Sequence, residues 1–170
     1  MDPQKLLVFS ETLEINSKIY KGVKTMTFLA KRENPEIKST ENKIASRAWS
    51  AAVKSNCFES ILIDKKENIY EGSRSNFFWV KNNTIFTREN DILPGITRQI
   101  ILKNSPLNIS YDILNVKNLH TIDESFITQT SCGIVPVKQI NNLTIGKSSP
   151  GKKTSELMNL YNQWSEKSDK

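Results

Sequence analysis

The sequence predicts an α+β domain in which several mostly antiparallel strands carry a few packed helices. Three observations lead there. Short apolar runs bounded by polar turn residues recur along the chain, as at 57–63 and 76–80. Two stretches, one at 40–56 and one at the C-terminus, instead repeat apolar residues at helical spacing. No repeat or interdomain linker breaks the 170 residues, a length that suits one domain with a sizeable core.

The elements follow in order. Val23, Met26, Phe28 and Leu29 lie in a strand over 23–29. "RENPEIKSTEN" (32–42) is a loop, because Pro35 disfavours helix before it. Ile44, Ala45, Ala48, Trp49, Ala52 and Val53 then mark a helix over 40–56 with one buried face. Strands follow at 57–63, 69–71 and 76–80. Asn82-Asn83 signals a hairpin into a strand at 84–87. Pro94-Gly95 marks a loop, and a short helix is predicted over 96–103, stopped before Pro106. Ile109, Tyr111 and Ile113 alternate as a strand. A short helical piece at 119–122, strands at 124–130 and 133–140 and a turn at Asn141-Asn142 come next. The last helix carries Leu157, Met158, Leu160, Tyr161 and Trp164 on one face.

Composition excludes several classes of function. Hydrophobic content of 37% and charged content of 25% suit a globular chain. The net charge of +6 is spread as single lysines and short pairs, which argues against nucleic acid and is compatible with a cleft for an anionic small molecule. Cys57 and Cys132 form no CxxC pattern, and the sole histidine, His120, has no metal-ligating neighbours, so neither a disulfide scaffold, a metal site nor a histidine triad is expected. No apolar stretch approaches the length of a membrane span, and the first residues, MDPQKLLVFSETLE, lack the pattern of a secretory signal. The expected setting is cytoplasmic.

Three loops could carry chemistry. One holds Lys38, just before a helix. A second holds Glu71, at the lip of the apolar run Asn76-Phe77-Phe78-Trp79-Val80, where an acidic residue is unusual. The third, "LPGITR" (93–98), puts Ile96 and Thr97 at a helix N-terminus, where outward N–H groups, the helix dipole and the Thr97 hydroxyl suit a phosphate. "TQTS" (128–131) adds hydroxyls at a strand end. Taken singly, each has a bland alternative: a solvated lysine, a surface glutamate, a capped helix start.

Together and in order, "IKST", "YEGSRSNFFWVKNNTIFT", "ILPGITRQIIL", "DESFITQTSCGIVPV" and "IGKSSPGKKT" resemble the class IV pyridoxal-phosphate enzymes. These include branched-chain aminotransferases, D-amino-acid transaminases and aminodeoxychorismate lyases. The resemblance runs from about Val23 to about Tyr161. It implies the large domain of that fold, pyridoxal 5'-phosphate as cofactor, and amino acids and 2-oxo acids as substrates. Carried over, Lys38 is the lysine that forms the Schiff base, and Glu71, in the E-G-x-x-x-N-x-F motif, faces the pyridine nitrogen. Leu93 packs on a ring face. Ile96, Thr97 and Thr130 hold the phosphate, and the Thr130–Ser131 backbone meets the substrate carboxylate. The chemistry needs a lysine whose amine can become neutral, as burial among cationic groups favours.

Three departures accompany the resemblance. "KSTENKI" supplies Asn42 and Lys43 where branched-chain enzymes place a tyrosine on the cofactor's phenolic oxygen. Arg74 stands where the family has a small residue beside the ring, and either crowds the site or points away. The family's N-terminal small domain, which contributes a phosphate-binding arginine and part of the substrate pocket, is expected to be missing. Residues 1–22 are expected to be its connector, and 23–170 the cofactor-binding domain. A homodimer, or a separate chain supplying the small domain, is expected as partner. The readings left open are an aminotransferase, truncated or half of a split enzyme, an aminodeoxychorismate lyase making 4-aminobenzoate, and a non-catalytic cofactor-binding or dimerisation remnant.

Overall fold

A computed structural model describes residues 12–39 and 42–168. Its strands are β1 (Val23–Leu29), β2 (Glu59–Ile63), β3 (Ile69–Gly72), β4 (Asn76–Lys81), β5 (Thr84–Thr87), β6 (Ile109–Tyr111), β7 (Glu124–Gln129), β8 (Gly133–Ile140) and β9 (Leu143–Thr144). The helices are α1 (Lys43–Lys54), α2 (Ile96–Asn104) and α3 (Lys152–Ser168), with 3-10 turns at Ser17–Lys21 and Val116–Thr121.

The strands form one sheet in the order β3-β2-β1-β8-β7-β4-β5-β6, with β9 on β8. Antiparallel pairings dominate, as predicted, but β1/β2, β1/β8 and β5/β6 are parallel. The reason is connectivity. A parallel pair needs a crossover, and α1 bridges β1 to β2 while α2 bridges β5 to β6. Connectivity also bends the sheet. β3 and β4 stand five positions apart in strand order, about 24 Å if the sheet were flat. Yet only residues 73–75 join them, and four peptide steps reach about 14 Å at most. The sheet must curl into a half-barrel that brings the end of β3 beside the start of β4, where the Gly72 amide donates to the Ser75 carbonyl at 2.8 Å.

Both faces of the curl are filled. Phe77 and Trp79 of β4 point into one cluster with Ile61, Ile127 and Val135. Phe78 and Val80 point the other way, to Phe126, Ile101 and Leu157 beneath α2 and α3. This explains why β4 is apolar at successive positions rather than alternating. A third cluster sets Ala48 of α1 against Leu62, Tyr70 and Ile92.

Several boundaries differ from the expectation. β2 starts at Glu59, because the Cys57 amide closes the end of α1 on the Ala52 carbonyl. β6 ends before Ile113, and the piece expected at 119–122 is the 3-10 turn Val116–Thr121. The buried face of α1 is narrower than its periodicity suggests: Ala48 and Ala52 are buried, whereas Trp49 and Val53 are 37% and 52% exposed. The expected connector at 1–22 lies partly outside the described residues. Its last turn packs Ile19 and Tyr20 against the main core, and the Tyr20 hydroxyl donates to the Cys132 carbonyl at 3.1 Å.

Candidate active site

The curl of the sheet leaves a cavity of about 630 Å³ at the junction of β3, β4, the start of α2 and the β7–β8 turn. Lys38, Glu71, Leu93, Ile96, Thr97, Thr130 and Ser131, from four separate segments, all line it. So do Arg32, Arg74, Asn76 and Thr128.

Glu71 is the most constrained of these. It lies near the end of β3, 2% exposed. Its Oε1 accepts from the Arg32 guanidinium at 3.0 Å. Its Oε2 accepts from the Leu93 amide at 3.0 Å and from the Asn76 side-chain amide at 3.3 Å. Burial pushes the carboxyl above its ordinary range, against the lowering effect of the Leu93 N–H and Arg32, and the nearby Glu59 adds to the rise. Asn76 also donates to the Leu93 carbonyl at 2.7 Å, so one side chain ties β4 to the loop before α2. Gly95 must be glycine here, because a Cβ would stand 2.2 Å from Asn76 Oδ1.

At the start of α2, Gly95 offers no side-chain oxygen to the first-turn N–H groups. Thr97 is buried, its hydroxyl 3.5 Å from that of Tyr161 on α3. The Thr128 hydroxyl is buried and meets no hydrogen-bond partner among the described residues. Donors of this kind suit an anion more than an apolar guest.

Lys38 is exposed on the loop between β1 and α1, so the burial expected for a reactive lysine is not supplied by the described residues. Arg74 does not fill the cavity: its guanidinium lies over the Trp49 ring, 4.4 Å from the centroid. Asn42 caps α1 by accepting from the Ala45 amide at 2.9 Å, and Lys43 opens that helix. Thr40 and Glu41 lie outside the described residues.

Arg32 and the structural part of Asn76 were not anticipated. A basic residue in "KREN" carries no signal that distinguishes it from a solvated charge, and its partner lies 39 residues further on. Thr128 was visible only as one hydroxyl of "TQTS". Among the described residues no group of acidic, histidine and cysteine side chains could hold a metal, and no helix is long and apolar enough to cross a membrane.

The family model described as amino-transferase class IV matches residues 2–140. A probable branched-chain-amino-acid aminotransferase of Thermotoga maritima is 35% identical over 110 residues, covering 62% of this chain and 40% of its own. A solved structure from the same organism superposes with a TM-score of 0.80 at 30% identity, covering 89% of this chain and 57% of its own. A branched-chain amino acid aminotransferase of Escherichia coli gives a TM-score of 0.74 at 27% identity over 84% of this chain and 52% of its own. Another branched-chain amino acid aminotransferase, solved in complex with N-(5'-phosphopyridoxyl)-L-glutamate, gives a TM-score of 0.79 at 26% identity over 86% of this chain and 52% of its own. The chain belongs to the class IV aminotransferase family, and its fold is that of the large domain of fold type IV enzymes. It spans about half the length of the relatives it matches.

Proposed function

We propose that this chain is the cofactor-binding part of a pyridoxal-phosphate-dependent aminotransferase that moves an amino group from an amino acid to a 2-oxo acid. The observation that carries the reading is Glu71. A buried carboxylate held by three donors opens onto a cavity that also contains a lysine, a helix N-terminus and a hydroxyl with no partner among the described residues. These residues fit the cofactor's phosphate, ring nitrogen and aldehyde. When bound, pyridoxal phosphate supplies a sink for the electrons of the substrate's Cα–H bond.

The chain's own residues would do the rest. Among the described residues Glu71 Oε2 takes two donors and Oε1 one, so Oε1 keeps a lone pair that would hold a proton on the ring nitrogen. Arg32 favours the anionic form of that carboxyl against its burial. Leu93 would seat one ring face. The amides of Ile96 and Thr97, with the hydroxyls of Thr97, Thr128 and Thr130, would orient the phosphate. Lys38 would hold the cofactor covalently and, once displaced, carry the proton to and from substrate Cα through Nζ. The Thr130–Ser131 turn would take the substrate carboxylate. A homodimer, or a complementing chain supplying the small domain, and a cytoplasmic setting belong to the same proposal. Exposed Leu29, Ile37 and Val53 support a partner surface.

The test is a titration with pyridoxal phosphate followed in the visible. A bound-cofactor band that Lys38→Ala abolishes and Thr97→Val weakens is expected. Binding that neither substitution alters would overturn the reading.

A further inference from the structure

Glu59 opens β2, is fully buried, and belongs to no ion pair among the described residues. Burying a carboxylate without a cation is costly unless donors surround it. Here four do. Oε1 accepts from the Ser60 amide at 2.8 Å and from the Ser73 hydroxyl; Oε2 accepts from the Arg74 amide at 3.2 Å and the Ser75 hydroxyl at 3.0 Å. Three of the four donors belong to the turn 73–75 that joins β3 to β4. The turn is packed directly on this side chain: a Cβ on Gly72 would come within 2.0 Å of Ser75 Oγ and 3.1 Å of Glu59 Cγ.

Glu71 precedes this turn and Asn76 follows it, and the two are joined by a hydrogen bond. We propose that Glu59 is a positioning residue, whose carboxylate clamps the 72–75 turn and so aims Glu71 and Asn76 into the cavity. The donor set shows why glutamate is required rather than glutamine. A carboxylate is acceptor-only. Whichever oxygen became an NH₂, it would face one hydroxyl, which can rotate, and one backbone N–H, of Ser60 or Arg74, which cannot. Glu59→Gln therefore opens one side of the clamp whichever way its amide turns.

The inference rests on the proposed cofactor reading only in the second arm of its test. The first arm is amide hydrogen exchange in the free chain. In Glu59→Gln either the Ser60 or the Arg74 amide loses its acceptor, and the Leu93 amide, which bonds Glu71, loses a fixed partner. The freed amide and that of Leu93 should exchange at least about tenfold faster, while Phe78 and Ile127 in the central strands stay within about twofold. Uniform acceleration, or an unchanged Leu93 amide, would overturn the proposal. Should Glu59→Gln not fold, Ser73→Ala with Ser75→Ala removes two donors without stranding an N–H; about threefold faster exchange at Leu93 supports the clamp, and none contradicts it. The second arm is a double-mutant cycle on pyridoxal-phosphate affinity. Glu59→Gln should weaken binding about tenfold, with no further loss in a Glu71→Gln background. Losses that multiply would mean that Glu59 acts independently of Glu71. Failure of the wild-type chain to bind cofactor overturns the cavity reading, and the exchange arm still decides Glu59.

Discussion

At the scale of single residues, the site depends on one buried carboxyl and the groups that set its charge. Glu71 is raised above its ordinary value of 4.5, chiefly by burial. The folded chain therefore binds this proton more tightly than the unfolded chain. Between the two values the folded state carries the extra proton, so the contribution of Glu71 to stability is present below about pH 4.5 and is lost as pH rises through the folded value. In the cofactor-free chain, the stability of wild type relative to Glu71→Gln should fall as pH is raised from about 4 to about 7, measured by urea unfolding; a difference that grows with pH would contradict the assignment. Arg32 offsets the burial. Arg32→Met should cost about 3–5 kcal/mol where Glu71 is ionised, because it strands a buried charge, and less as pH is lowered and Glu71 takes up a proton. Glu71 was legible because its motif is compact: E-G-S-R-S-N-F-F lies in one stretch. Arg32 and Glu59 were not, because their roles exist only once the sheet has curled.

At the scale of elements, local turn chemistry was the most legible part of the sequence. Asn82 and Asn83 both have positive φ, 50° and 63°, the twist that a two-residue hairpin demands. Asn83→Gly should stabilise the β4–β5 hairpin slightly, and Asn83→Val should cost about 1–2 kcal/mol, read by thermal unfolding. The parallel pairings were not legible, since strand patterns specify a buried face but not a neighbour. Neither was the cap of α3. Glu124, at the start of β7, accepts from the Lys153 and Thr154 amides at 2.9 and 2.8 Å and from the Thr154 hydroxyl at 2.7 Å. Gly151 allows this approach, for a Cβ there would stand 2.1 Å from the carboxyl carbon. Glu124→Ala should lose about 1–2 kcal/mol, the usual range for a lost N-cap, with α3 amides exchanging faster. α3 also carries Tyr161, which touches Thr97, so the same variant should weaken cofactor binding modestly.

At the scale of the whole molecule, the chain holds a cavity whose lysine is exposed and whose surroundings include exposed Ile37 and Ile96. It corresponds to about half of each relative. Positioning and exclusion of water supply much of an enzyme's rate, so this chain alone should bind cofactor and turn over slowly. Adding the N-terminal part of a relative in trans should tighten cofactor binding and raise the rate, as followed by conversion of an amino acid and a 2-oxo acid. In the proposed enzyme the Lys38 loop, the Glu71 strand and the α2 N-terminus form one cofactor site. This is tested most directly by incubating the chain with pyridoxal phosphate, reducing with borohydride and mapping the modified peptide. A single adduct on Lys38, formed less readily in Glu71→Ala, is expected. Modification of a different lysine, or none above the level of the unfolded chain, would contradict it.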